Sequence, residues 1–234
     1  MAASMIHKLV TLGLGLSILA VAEVSIQRPA QVAHTESVDF APGGTIRLND
    51  SFGDLYIEGW DQPAVEITLI KEMQDYNPPK NVSERLERVR FTTEHPSANE
   101  LVIGTTIPSR SFFRHPFGGK GDVNVRYELH VPRDSRLVIH HGGGNVLIDN
   151  VTGSMDASNR EGDIVALLPG PGPYSIDARS KMGTVISDFA GKAHVKYFIG
   201  EAFTGANEYT AHSIHLRVGF GGITIKEMAP EAAP

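Results

Sequence analysis

The chain has 234 residues, 41% of them hydrophobic and 21% charged, which places it among ordinary globular proteins with room for a sizeable core, apart from disordered chains. Its net charge of −6 offers no basic face overall, so nucleic acid is not an expected partner. It has no cysteine, which rules out a disulfide framework and a cysteine-linked lipid anchor, so packing and backbone pairing must hold the fold.

Residues 1–22 read as a secretory signal. Lys8 precedes the uncharged run Leu9 to Ala22, and Ala20 and Ala22 are the small residues a peptidase reads. The run is too short to cross ~30 Å of hydrocarbon as a helix. The expected product is exported to the periplasm, cell surface or exterior, with no transmembrane segment. A linker over 23–37, one β domain over 38–227 and a disordered tail over 228–234 complete the expected organisation.

Within that domain, Thr45 to Gly53 alternates apolar and polar residues up to a glycine, and Leu55 and Ile57 continue the alternation beyond it. Val65 to Ile70 is a strand pattern, and Pro78-Pro79 breaks the chain. Val82, Leu86 and Val89 then fall on one face of a short helix that Ser83 could cap. Glu100 to Ile107 and Val123 to Val131 read as strands around a long loop, 108–121. From residue 133 the pattern becomes regular.

The segments ending at Gly53, Gly162, Gly183 and Gly221 share a template: Ser or Thr, alternating apolar or small residues, then glycine, then another alternating strand. Looser copies end at Gly144 and near Gly200. Gly144 to Gly162 is 18 residues, Gly162 to Gly183 is 21, and Gly183 to Gly221 is 38, or two periods of 19. A period near 20 with two short strands describes one coil of a β-solenoid, which buries its apolar side only by stacking on neighbours. Leu137/Ile139, Met155/Ala157, Ile176/Ala178 and Ile214/Leu216 would then face inward together. The glycines would sit at corners where positive φ costs least. An antiparallel β-sandwich or meander of hairpins would show similar alternation and stays open.

Three segments in this order resemble the bacterial putative-adhesin family of uncharacterised domains. They are Gly44 to Leu48 with Gly53 to Trp60, Val65 to Thr68, and Tyr127 to Pro132 leading into the repeats. The resemblance spans roughly 38–227. It implies a β-solenoid exported to the envelope or surface, and it carries no catalytic motif.

Candidate chemistry is sparse. Asp156 and Asp177 hold the same repeat position and would stack on adjacent coils, but facing water, with Arg160, Arg179 and Lys181 near enough to neutralise them. His140 and His141 are consecutive on a strand and point to opposite faces, so they cannot chelate together, and His130 and His215 lie far off in sequence. The Gly142–Gly144 run lacks the Lys-Ser/Thr of a phosphate loop. The expectation is therefore a non-enzyme with no catalytic residue, cofactor or metal. One segment stands out: Arg110, Phe112, Phe113, Arg114, Phe117 and Lys120 crowd aromatics and cations into a single loop. Such a loop either plugs an end of the stack or binds an envelope partner, whether protein, glycan or lipid. The functional expectation is scaffolding or adhesin-like binding. A sensor module of an envelope-stress system and a carbohydrate-active solenoid enzyme are the alternatives.

Overall fold

The computed structural model describes residues 31–73, 86–87, 89–106, 123–170, 172–196, 199–205 and 212–228. Their seventeen strands form two mixed sheets that enclose one apolar interior. The eight-stranded sheet runs β1 (Gln31–Asp39), β4 (Ala64–Met73), β7 (Val123–Pro132), β3 (Asp54–Trp60), β9 (Val146–Asp149), β11 (Ile164–Pro169), β17 (Ile223–Met228), β13 (Val185–Ser187). The nine-stranded sheet runs β14 (Lys192–Lys196), β15 (Gly200–Gly205), β12 (Tyr174–Met182), β16 (His212–Phe220), β10 (Met155–Glu161), β8 (Arg136–Gly143), β2 (Thr45–Phe52), β6 (Glu100–Thr106), β5 (Arg90–Ser97).

Each glycine-punctuated repeat contributes one strand to each sheet, and neighbouring repeats pair in parallel. The expected inward residues meet in register. Ile176, Ile214, Met155, Leu137, Ile46 and Leu101 form one row across the nine-stranded sheet. Val185, Ile223, Ile164, Val146, Leu55 and Tyr127 form a row on the other sheet. All twelve are buried. A buried aliphatic or aromatic side chain contributes ~1.5–3 kcal/mol, and alternation delivers one at every second residue.

The repeats do not stack in chain order. The strands after Gly221 lie between those after Gly162 and those after Gly183, so β16 and β17 enter the stack beside β12 and β13 rather than beyond them. This corrects the reading of the 38-residue interval as two periods. The segment near Gly200 is no repeat of its own; β14 and β15 form an antiparallel pair on the edge of the nine-stranded sheet. β6 and β7, which carry no corner glycine, pair in parallel with β2 and β3.

The corners explain the glycine column. Gly53, Gly144, Gly162, Gly183 and Gly221 all have φ between 101° and 148°. A Cβ on Gly183 would overlap the carbonyl oxygen of Gly221, one on Gly221 that of Gly162, and so on through Gly144 to Gly53. Each glycine is thus required twice, by its φ and by the neighbour's backbone. Three residues before the corner, inward polar groups satisfy the corner carbonyls. Asn159 Nδ2 donates to Gly144 O (2.8 Å) and Ser180 Oγ to Gly221 O (2.7 Å).

Apolar cover lies at both ends of the interior. Leu86 and Val89 are buried at the β4–β5 end, where Lys71 Nζ donates to the Val89 carbonyl. Phe203 is buried at the opposite end, and Phe189 packs edge-on against Tyr174 at 5.8 Å. Leu86 and Glu87 are helical, and the rest of the helix expected over 82–89 falls outside the described residues apart from Val89. β1 begins at Gln31, within the segment read as linker, and pairs with β4 from Gln31 to Asp39. The signal segment, the loop 108–121 and residues 229–234 of the tail lie outside the described residues. No helix among the described residues is long and apolar enough to cross a membrane.

Candidate functional site

The two outer faces differ in charge. On the eight-stranded sheet, Glu66, Glu128, Glu58 and Asp149 project from the neighbouring strands β4, β7, β3 and β9. Desolvation, then the nearby Glu58 charge, raises the Asp149 carboxyl above its ordinary value. His130 lies 3.5 Å from both Glu58 and Glu66 and stacks on the Trp60 ring. On the nine-stranded sheet, Arg160, Lys181, Arg179 and Arg217 gather on β10, β12 and β16. The overall charge of −6 conceals this local cluster of cations.

These cations border a groove of about 830 Å³ that crosses the nine-stranded sheet beside the glycine corners. Part of its lining comes from one register row, two residues before the corner in the repeats of Gly144, Gly162, Gly221 and Gly183, which continues onto Gly200 of the edge strand β15. Across the strands that row reads Gly142, Arg160, Gly219, Lys181, Gly200. Cation and glycine alternate, and Gly219, half-exposed, lies between the two cations. The Phe52 ring lies over Gly142, where a Cβ would strike it, and closes one end of the groove. Ile199 and Ala202 line the other. Just past the groove, Phe220 and Met182 are register partners that stay 56% and 45% exposed.

The four cations are not equivalent. Arg179 holds Asp177 through two hydrogen bonds of 2.9 and 3.0 Å, and Arg217 donates to the same carboxylate at 2.6 Å. Burial alone would raise the Asp177 carboxyl, but hydrogen bonds and charge from Arg217 and Arg179 outweigh it and hold it below the ordinary value. Among the described residues, no acidic side chain pairs with Arg160 or Lys181. Glu201 lines the groove, yet its carboxylate accepts the Val185 N–H. Two positive charges therefore face the groove without a partner from those residues.

Of the residues singled out in sequence, Asp156 and Asp177 are not neighbours. His215 of β16 stands between them in register, because the last repeat intercalates there. Arg179 neutralises Asp177 as expected, joined by Arg217, whereas Arg160 and Lys181 do not. His140 is exposed on the groove side and His141 is buried, on opposite faces as the strand requires. Arg110, Phe112, Phe113, Arg114, Phe117 and Lys120 lie outside the described residues, between Thr106 of β6 and Val123 of β7. The groove row itself went unrecognised in the sequence. Its signal was present, since Gly142, Arg160, Lys181 and Gly219 all hold the same place before their corner glycines.

No family model matches the chain, and no curated protein matches it. Similar solved structures include a putative cell adhesion protein from Clostridium sporogenes, at 11% identity and TM-score 0.47, covering 86% of this chain and all of that one. A putative adhesin from Bacteroides fragilis matches at 11% identity and TM-score 0.25, over 86% of this chain and 99% of the other. A putative lipid binding protein from Parabacteroides distasonis matches at 8% identity and TM-score 0.24, over 84% and 96%.

Proposed function

We propose that the chain is an exported, non-enzymatic envelope or surface protein, a solenoid-like stack that serves as scaffold for adhesin-like binding, and that its partner meets the groove on the nine-stranded sheet. The observation that carries this reading is the pair Arg160 and Lys181, which face the groove with no acidic partner among the described residues. Exposed like charges beside a concavity repel one another and are useful only to a partner that neutralises them. A catalytic reading would require clustered carboxylates, and the one pair of matched acids is separated by His215 and partly consumed by arginines.

Retention on fractionated bacterial envelope material tests the proposal. Arg160→Glu with Lys181→Glu should abolish retention, whereas Glu58→Lys with Glu128→Lys on the opposite face should leave it intact. Equal retention by both variants would refute the assignment of the groove. The concavity also favours a second reading, a sensor module for a small ligand. In that case a soluble extract of low molecular weight, and not the envelope polymer fraction, would raise the melting temperature of the unaltered protein.

A further inference from the structure

The row Gly142, Arg160, Gly219, Lys181, Gly200 is perpendicular to the strands and spans β8, β10, β16, β12 and β15. It is therefore a track rather than a cup. With strands ~4.8 Å apart, its five positions extend over roughly 19 Å, and the two cations are rooted about 9.6 Å apart. Between them Gly219 offers half-exposed backbone and no side chain, so a ligand can settle against the sheet there. At one end the Phe52 ring lies against Gly142. An aromatic face at the head of a track with spaced cations suits a chain of sugar rings, whose C–H faces stack on aromatics while acidic substituents reach the cations.

We infer that the groove holds a linear acidic polysaccharide laid across the strands, with negatively charged groups recurring along it at about the interval of a disaccharide. One sugar ring stacks on Phe52, and successive acidic groups are held by Arg160 and Lys181. The inference rests on the groove being the binding face and adds the chemistry of what it takes. Three other features agree. Arg179 and Arg217 share the single carboxylate of Asp177, so the row beside the track keeps one net positive charge, while the two cations of the track have no acidic partner among the described residues. Ser158 and His140 line the same groove and supply short polar groups for hydroxyls. The intercalated β16 places Gly219 between the two cations. Had the repeats stacked in chain order, Arg160 and Lys181 would be adjacent and would match only a densely charged chain.

The experiment is calorimetric titration of the folded protein with four probes. These are hyaluronan, with one carboxylate per disaccharide, polygalacturonate, with one on every sugar, neutral dextran, and vesicles of anionic phospholipid. Hyaluronan should bind, more tightly at low salt, and more tightly than polygalacturonate; dextran and vesicles should not bind. Arg160→Gln and Lys181→Gln should each weaken hyaluronan binding roughly tenfold or more, as expected for losing a hydrogen bond to a charged group, and should reduce its salt dependence. Phe52→Leu keeps the apolar cover over Gly142 but removes the flat ring. It should weaken binding while leaving the salt dependence unchanged. Groove-dependent binding to vesicles with none to hyaluronan would overturn the polysaccharide and leave the groove standing. Hyaluronan binding unaffected by Arg160→Gln with Lys181→Gln would overturn both.

Discussion

At Gly162 a single hydrogen atom decides whether two repeats can touch. Its φ is 113°, and the position a Cβ would occupy is filled by the Gly144 carbonyl. Gly162→Ala should therefore cost about 1–3 kcal/mol in backbone strain alone, and more for the displaced carbonyl. Gly143 gives the control, one residue before a corner glycine. It lacks the positive φ, and an added Cβ would meet its nearest neighbour at 3.7 Å, an ordinary contact. Gly143→Ala should be close to neutral in the same urea titration. Polar residues near the corners set a pH dependence. Desolvation lowers the His141 pKa, with hydrogen bonds to the backbone at Gly53 and Gly143 opposing it. An unfolded histidine titrates near ~6.5, so just below that pH the unfolded chain binds a proton that the folded one refuses, and stability falls. Asp177, held below its ordinary value, contributes stability that is present above roughly pH 4 and lost only as acidification passes its folded pKa. His141→Asn, which imitates Asn159 in the next repeat, should flatten the first decline and leave the second. Unfolding midpoints measured from pH 7.5 to 3 separate the two.

At the scale of a strand, β12 carries its inside and outside on adjacent residues. Ile176 is buried in the row shared with Ile214, while Asp177 holds two arginines at the surface. Ile176→Asp should prevent folding, because it places an unpaired charge in the interior. Asp177→Ala should fold and lose little thermal stability, since exposed ion pairs contribute only ~0–1 kcal/mol. Similar melting temperatures for the two variants would mean that the strand is inverted. Facing of this kind was legible in the sequence because period-two alternation is written residue by residue: Leu137, Met155, Ile176 and Ile214 were all read as inward, and all are buried. The antiparallel additions were harder to read. β1 and β5 are largely exposed, so no apolar alternation marks them. β14 is a short edge strand whose Val195 faces solvent at 74% exposure.

For the whole molecule, the decisive feature was one that no local pattern encodes. Repeat spacing tells where corners fall along the chain but not which repeat lies beside which. Order is settled by pairing partners far apart in sequence, such as Met155 with Ile214 and Ile164 with Ile223. The cations of the groove were visible for the same reason, and their separation by Gly219 was hidden for the same reason. This arrangement also distinguishes the chain from arrays that add repeats one after another, which tolerate loss of a terminal unit. Truncation after Gly205 removes β16 and β17 from the middle of the stack, so β12 and β13 lose their parallel neighbours together. The truncated chain should therefore lose protection against amide exchange in residues 174–187 as well as cooperative unfolding. Retained protection there would show that the Gly183 repeat can dock directly on the Gly162 repeat.

The intercalated β16 also gives synthesis and folding different calendars. β10 is made well before its partner, and β12, its eventual neighbour but one, emerges while the place between them is still empty. In the finished fold that place is taken by residues 212–220. β16 and β17 thus act as a keystone, and until they arrive the strands β10 and β12 each have an edge that lacks its final partner. Unsatisfied strand edges of that kind are where a waiting polypeptide pairs wrongly or aggregates, so the interval before residue 212 is the vulnerable one.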